Sequence, residues 1–197
     1  MTTSPFALKP EPETLEVVRE RVRLRPFHED DLTAMAAYRG DAAVCRFLPF
    51  EPQTPGDIRA RIGHLFGRTS LAGESGGVVL VVENEGAVIG DLVLFHLDAA
   101  AGSAEIGWVL HPAATGRGLA TEAVAALVDT AFEVYGLRRL TAQIDADNLR
   151  SIALAERIGM RREAHFVENA WFKGRWSDLL VYAVLDREWA AARRGAS

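Results

Sequence analysis

The sequence predicts a single domain of mixed α/β (α+β) fold, with a mostly antiparallel central sheet and helices on both faces. Three observations lead to this prediction. Several short segments alternate apolar and polar residues or are continuously apolar and bounded by turn residues, as strands are. Other segments carry apolar residues at helical spacing and lie before, between and after the strands. The 197 residues are 49% hydrophobic and 25% charged, which suits one core of ordinary size.

The first third of the chain predicts one strand and two helices. Residues 21–26 alternate apolar and polar side chains and stop at a proline, which is typical of a short strand. Residues 32–38 have helical spacing behind acidic capping residues. A second helix is predicted to start at Pro55, because proline is favoured in the first turn. Its apolar face would consist of Ile58, Ile62, Leu65 and Phe66.

The middle of the chain predicts an antiparallel meander of three strands over residues 78–83, 87–97 and 103–110. A glycine-bearing loop follows, and then a long helix over residues 119–135 that ends at Gly136. The remaining elements are a strand, a helix, a strand and a terminal helix, over residues 138–145, 148–160, 178–185 and 186–194. Because a helix connects strands after the meander, we expect the strands on either side of the glycine loop to run parallel.

Composition excludes several classes of protein. The net charge is -5 and the arginines are scattered, so we expect no nucleic-acid partner and no anionic membrane surface. A single cysteine, Cys45, excludes an intrachain disulfide and a cysteine-based metal cluster. No apolar run has the length of a membrane span, and residues 1–18 lack the pattern of a secretory signal. We therefore expect a cytoplasmic monomer or homodimer with a mobile leader over residues 1–18 and one domain over residues 19–197.

The loop HPAATGRG, which joins the third meander strand to the long helix, has the features of an anion site. A helix that starts directly after Gly116 and Gly118 presents free backbone N–H groups and the positive end of its dipole at one point. The alternative is that the glycines only permit a sharp turn. A Walker loop is excluded because both lysines lie elsewhere, and a dinucleotide-binding fingerprint would need glycine in place of Thr121.

The segment as a whole resembles the GCN5-related N-acetyltransferase family, in particular its branch of ribosomal-protein N-terminal acetyltransferases. The family loop Q/R-x-x-G-x-G/A matches at Gly118 and Ala120, with Thr115 in place of the usual Gln or Arg. Three other segments look like family elements in the same order: RVRLRPFHEDDL, TAQIDADNLRSIALAERIGM and AWFKGRWSDLLVYAVL. The resemblance covers residues 21 to about 189.

The resemblance implies a splayed pair of parallel strands that holds acetyl-CoA as co-substrate, with no metal. The pyrophosphate would lie on the backbone N–H groups of the loop, and the pantetheine arm along the preceding strand. Arg117 is either a phosphate partner or a solvated turn residue. The residues assigned to the coenzyme are Trp108, Val109, Leu110, Thr115, Gly116, Arg117, Gly118, Leu119, Ala120, Thr121, Asn148 and Ser151.

Transfer of an acetyl group from a thioester to an amine needs a base, a donor to the carbonyl oxygen and a proton source for the thiolate. Glu105 on the strand before the loop is the proposed base, directly or through water; the alternative is a solvent-facing position. A backbone N–H near Val109 would stabilise the carbonyl. Many family members carry a tyrosine acid where this chain has Ala155, which leaves the Ser151 hydroxyl, unless it only caps the helix.

Four aromatic residues in segments without a regular pattern are candidates for the acceptor cleft, with core packing as the alternative: Phe47, Phe50, Trp171 and Trp176. We therefore expect an acetyl-CoA-dependent N-acetyltransferase whose acceptor amine enters from the side of the first two helices. The branch resemblance favours a protein or peptide N-terminal α-amine. A small amine such as an aminoglycoside, polyamine or amino acid, and an acyl-CoA sensor without turnover, are the alternatives.

Overall fold

A computed structural model describes residue 9 and residues 15–61, 69–71, 76–98 and 100–195, without the side chains of residues 69, 96 and 97. Within these ranges one sheet contains β1 (Val17–Val18), β2 (Arg23–Pro26), β3 (Thr69–Ser70), β4 (Gly77–Asn84), β5 (Ala87–Asp98), β6 (Ser103–Leu110), β7 (Arg139–Asp145), β8 (Arg161–Phe172) and β9 (Arg175–Leu185). The α-helices are α1 (Leu32–Arg39), α2 (Ala42–Cys45), α3 (Pro55–Ala60), α4 (Leu119–Asp129), α5 (Leu149–Arg157) and α6 (Asp186–Gly195).

The sheet is mostly antiparallel with one parallel pair of strands, as predicted. Its strand order is β1-β2-β4-β5-β6-β7-β9-β8, with β3 paired to β4. Every pairing is antiparallel except that of β6 with β7, the strands on either side of the glycine loop. That parallel pairing joins only residues 103–105 of β6 to residues 139–141 of β7. Both strands continue beyond it without pairing to each other, so a gap opens in the middle of the sheet.

Helices cover both faces of the sheet, as predicted. The larger apolar cluster includes buried residues of α4 such as Val124 and Leu127, together with Leu92 and Ile106 of the sheet. The smaller cluster lies on the side of the first helices and consists of Leu32, Met35, Tyr38, Ile58, Val79 and Val109. The predicted helix over residues 119–135 is α4 followed by a π-helical turn at Thr130–Val134.

Strand β8 was missed by the sequence prediction. Nearly all its side chains are exposed at the edge of the sheet, so it lacks the apolar alternation that identifies half-buried strands. Two irregularities in its pairing with β9 also interrupt the pattern. The expectation that Trp171 and Trp176 lie in irregular segments is therefore wrong, because the two residues face each other across a β-hairpin.

Two other differences concern the N-terminal part. The sheet begins inside the predicted leader, because β1 pairs with β2 and Leu15 is buried. The rest of the leader lies outside the described residues, apart from residues 9 and 16. The predicted second helix is α3, capped by the Thr54 hydroxyl, and its expected members Ile62, Leu65 and Phe66 lie outside the described residues.

Candidate active site

The glycine loop has a backbone shape that places helix amides at the open end of the sheet. Gly116 and Gly118 both have φ of +77°, in the left-handed region that side-chain-bearing residues rarely adopt. Gly118 is the N-cap of α4, and the first hydrogen bond of the helix runs from the Glu122 amide to the Gly118 carbonyl, 3.1 Å. The amides of residues 119–121 therefore have no partner within the helix, and free amides at a helix N-terminus are suited to bind an anion.

Arg21 supports the loop from the turn before β2. Its Nη1 donates to the Arg117 carbonyl at 2.8 Å, and its Nε donates to Oε2 of Glu122 at 2.8 Å. The Arg21 amide also donates to Oε1 of Glu122, at 2.7 Å. Sequence reasoning missed this support because the partners lie about a hundred positions apart and no local pattern links them.

A cavity of about 640 Å³ opens in front of the loop, and we name it the coenzyme cavity. Most residues assigned to the coenzyme line it: Trp108, Val109, Leu110, Thr115, Gly116, Gly118, Ala120, Thr121, Asn148 and Ser151. Arg117 and Leu119 do not line it, because Arg117 is exposed and the Leu119 side chain is buried in the core. Leu119 contributes only its free backbone amide to this end of the helix.

Two arginines of α5 that sequence reasoning missed, Arg150 and Arg157, also line the coenzyme cavity. Nη1 of Arg157 lies 3.4 Å from the hydroxyl of Thr121, beside the free amides of α4. Their charge could have been noticed in the sequence, but only the packing of α5 against α4 brings it to the loop. Free amides, glycines without Cβ atoms and two guanidinium groups fit the phosphates of coenzyme A.

A second cavity of about 370 Å³ lies on the side of α1 and α3, and we name it the acceptor cavity. Glu105, Gly107 and Val109 of β6 line it, on the face opposite the one covered by α4. The two cavities meet at the gap between β6 and β7, where six residues line both: Phe47, Leu48, Trp108, Val109, Asn148 and Ser151.

The backbone of β6 turns alternate amides toward this gap. The His111 amide donates to the carbonyl of Ile89 in β5 at 2.8 Å. The Val109 carbonyl also faces β5, beside Gly90. Because N–H groups alternate between the two sides of a strand, the amides of Trp108 and Leu110 face the gap. The backbone amide that we expect to donate to the thioester carbonyl is therefore that of Trp108 or Leu110, and not that of Val109.

Glu105 lies at the point where the pairing of β6 with β7 ends. Its Oε2 accepts a hydrogen bond from Nε2 of Gln143 at 2.7 Å. Burial raises the pKa of Glu105, and this hydrogen bond opposes the rise. Among the described residues, no lysine or arginine forms a salt bridge with this carboxylate.

In the described lining of the acceptor cavity, the other two carboxylates are paired with arginines. Asp91 is buried and accepts from Nε of Arg39 at 2.9 Å and from Nη2 at 2.6 Å. The Tyr38 hydroxyl also donates to it, at 2.8 Å. Asp145 accepts from Nη2 of Arg175 at 2.6 Å. Glu105 is therefore the carboxylate in this cavity with charge left for an incoming cation.

Ser151 lies at the junction of the two cavities. Its Oγ accepts a hydrogen bond from Nε1 of Trp108 at 3.1 Å, which leaves its own proton for another acceptor. The cap of α5 is Asn148, whose Oδ1 accepts from the Ser151 amide at 3.2 Å. The Ser151 hydroxyl is thus not the helix cap. Ala155, at the position of the usual tyrosine, is buried in the core.

The aromatic candidates separate into two groups. Phe47 and Phe50 line the acceptor cavity. Trp171 and Trp176 line neither cavity; they form an exposed edge-to-face pair with ring centroids 5.5 Å apart. The thiol of Cys45 is buried, donates to the Arg39 carbonyl and has its pKa raised by burial, so it is not an activated nucleophile.

The fold and site define a coenzyme-A-dependent acyltransferase. Residues 21–161 match the acetyltransferase (GNAT) domain, and the chain belongs to this family. It is 28% identical to the uncharacterised N-acetyltransferase YnaD of Bacillus subtilis over 175 residues, which are 89% of this chain and 99% of YnaD. The protein is thus an N-acetyltransferase that uses acetyl-CoA to acetylate an amine.

Solved structures agree with this assignment. A GCN5-related N-acetyltransferase from Brucella melitensis superposes with a TM-score of 0.82 at 26% identity, over 96% of this chain and 87% of that chain. The spermidine N-acetyltransferase of Vibrio cholerae, solved with CoA and spermine, shares the fold with a TM-score of 0.75 at 20% identity, over 87% and 99% of the two chains. Within the described ranges, no helix is both long and apolar enough to cross a membrane.

Proposed function

We propose that the protein acetylates the α-amine of a peptide or protein N-terminus, by direct transfer from acetyl-CoA bound in the same complex. The observation that carries this proposal is the charge of the acceptor cavity. Three carboxylates line it, and two of them are neutralised by Arg39 and Arg175. Of the described lining residues, Glu105 is the carboxylate that remains for a single ammonium group, and the rest of this lining includes Arg61 and apolar side chains.

The residues of the coenzyme cavity bind and orient the co-substrate. Free amides of residues 119–121 and the guanidinium groups of Arg150 and Arg157 hold the phosphates. The gap-facing amides of β6 hydrogen-bond the pantetheine arm and place the thioester where the two cavities meet. When bound, acetyl-CoA supplies the activated acetyl group.

The acceptor cavity supplies the proton chemistry. Glu105 takes a proton from the ammonium group, directly or through one water, and leaves a neutral amine. The nitrogen lone pair attacks the thioester carbonyl, while the Trp108 or Leu110 amide donates to its oxygen. As the C–N bond forms, the C–S bond breaks. Ser151 donates its proton to the departing sulfur and takes up the second proton that nitrogen loses, so its hydroxyl is restored. Glu105 releases the first proton to solvent.

The raised pKa of Glu105 suits this role, because a base is more effective when its pKa is closer to the working pH. Ser151 suits the acid role because Trp108 Nε1 occupies a lone pair of its oxygen and keeps it at the junction. A thiolate is a fair leaving group, so we expect Ser151 to contribute less than Glu105.

A small amine is the alternative acceptor. Polyamines are the less favoured small amines, because they carry several positive charges and this cavity has one carboxylate without an arginine partner among its described lining residues. The spermidine N-acetyltransferase of Vibrio cholerae shares the fold with this chain at 20% identity, which is evidence for architecture and not for acceptor.

The test is an acceptor panel with acetyl-CoA, followed by mass spectrometry. The panel contains peptides with free N-termini, the same peptides blocked at the N-terminus, spermidine, an aminoglycoside and free amino acids. We expect acetylation of free peptide N-termini and none of the blocked peptides. Faster turnover of a small amine would replace the proposed acceptor. Tight CoA binding without any product would favour the sensor.

A further inference from the structure

Lys173 connects the tip of the β8–β9 hairpin to a loop of the acceptor cavity. Its Nζ donates to the Cys45 carbonyl at 2.8 Å and to the Phe50 carbonyl at 2.7 Å. These carbonyls lie at the two ends of the irregular segment 46–50, which we name the acceptor loop. Phe47 and Leu48 of this loop line both cavities, and Pro49 and Phe50 line the acceptor cavity.

Side chains of the acceptor loop are anchored as well: Leu48 and Phe50 pack against the smaller apolar cluster, and Cζ of Arg39 lies 4.8 Å from the ring centroid of Phe50. The backbone of the loop has no regular hydrogen-bond pattern. It follows the four-residue helix α2, and within it the Leu48 amide donates to the Cys45 carbonyl at 3.0 Å.

The Lys173 ammonium group hydrogen-bonds both ends of the loop. This restricts the conformations that the loop can adopt, because each bond fixes one end relative to the hairpin. The Lys173 side chain is 22% exposed, and its Nζ also lies 3.5 Å from Oε1 of Glu51.

The backbone at Lys173 gives a second, independent observation. Lys173 has φ of +46° and Gly174 has φ of +81°, and together they form the two-residue turn between the paired residues Phe172 and Arg175. Positive φ at both positions is the pattern of a type I′ turn, in which Asn, Asp or Gly is favoured first. A lysine there holds an unfavourable conformation, and such strain is common where a side chain has a functional contact.

We propose that Lys173 is a positioning residue for the acceptor: its ammonium group holds the acceptor loop in the conformation that binds the amine substrate. This inference rests on the proposed function of the acceptor cavity. Lys173 itself does not line either cavity, so it acts through Phe47 and Phe50 and not by contact with the reacting groups.

The turn makes a discriminating pair of variants available. Lys173→Met keeps an unfavourable residue at positive φ and removes the ammonium group. Lys173→Asn also removes the ammonium group but places a favoured residue in the turn. We expect both variants to raise the acceptor KM by about five- to tenfold with kcat within about twofold, since lost ordering affects substrate binding more than chemistry. We expect Asn to match or exceed the wild-type Tm.

Two further readouts keep the test decisive. Lys173→Arg retains a cation with several donors, so it should recover most of the acceptor KM. Hydrogen exchange of segment 46–50 should be faster in Lys173→Met than in the wild type, and this readout does not depend on which amine is the acceptor. If neither variant changes the acceptor KM or the exchange, the inference is wrong. If the wild type acetylates no peptide, the proposed function fails while the exchange still tests the role of Lys173.

Discussion

Nε2 of Gln143 on β7 donates to Oε2 of Glu105 on β6 at 2.7 Å, at the end of the segment in which these strands pair in parallel. One hydrogen bond thus spans the start of the gap in which the two cavities meet. It fixes the carboxylate of the proposed base relative to β7 and limits how far burial raises the pKa of the carboxyl group. The chemistry of the site follows from this position.

Glu105→Gln should lower kcat by about a hundredfold or more, the usual contribution of a general base. The pKa of Glu105 is raised, so the wild-type rate should fall as the pH decreases through a midpoint above the ordinary range of glutamate. A pH profile of kcat/KM checks this, and the acidic limb should disappear in the variant. A profile of unchanged shape would exclude Glu105 as the base.

The same substitution should not reduce stability at neutral pH. Because the pKa is higher in the folded state, folding favours the protonated carboxyl, and the carboxylate costs stability as the pH rises through that pKa. Glutamine keeps a partner for Gln143 without the charge. Thermal unfolding at pH 5 and pH 8 measures this. The Tm of the variant minus the Tm of the wild type should be larger at pH 8 than at pH 5.

Gly118→Ala should weaken CoA binding by at least about tenfold, because a side chain at φ of +77° forces the loop to change shape at the helix amides. Its control is Gly86→Ala in the β4–β5 turn, which also has φ of +77° and open space around a new Cβ. Both variants carry similar backbone strain, of about 1–3 kcal/mol. Calorimetric titration should show the affinity loss in Gly118→Ala alone.

Ser151→Ala should lower kcat by about three- to tenfold with little change in Tm. The cap of α5 is the Asn148 side chain, so removal of the Ser151 hydroxyl leaves the helix end intact. Trp108→Phe removes the donor to that hydroxyl and should lower kcat in the same direction by a smaller factor. Steady-state kinetics with Ser151→Thr as the matched control checks this assignment. Equal loss in Thr and Ala would argue for packing and not for the hydroxyl.

Arg39→Met should destabilise the fold by about 3–5 kcal/mol, because it leaves the buried carboxylate of Asp91 without its cation. The double variant Arg39→Met with Asp91→Leu should recover part of this loss, since it removes the uncompensated charge. Urea unfolding of the two single variants and the double variant measures the coupling. Additive losses would mean that the pair contributes little beyond packing.

The regular elements with a buried face were predictable from the sequence because burial leaves a period in the chain. Strand β6 and helix α4 carry such periods, β4 is a continuous apolar run bounded by turn residues, and glycine at 118 marks the start of α4. Strand β8 is exposed at nearly every position and leaves no period, and it was missed for that reason. Among site residues, the glycine loop was recognisable because its chemistry is local: a few consecutive residues supply both the turn and the amides.

Contacts between distant segments were decided by the tertiary structure alone. The sequence by itself pointed to the family and to parallel strands on either side of the glycine loop, and it predicts that the coenzyme phosphates lie at that loop. Only the folded chain brings Arg157 to Thr121, Gln143 to Glu105 and Lys173 to the acceptor loop. The physical reason is that a local pattern records only which face of an element is buried. Which polar side chains pair depends on how the elements pack against one another. That packing also decides which charges in the acceptor cavity are neutralised.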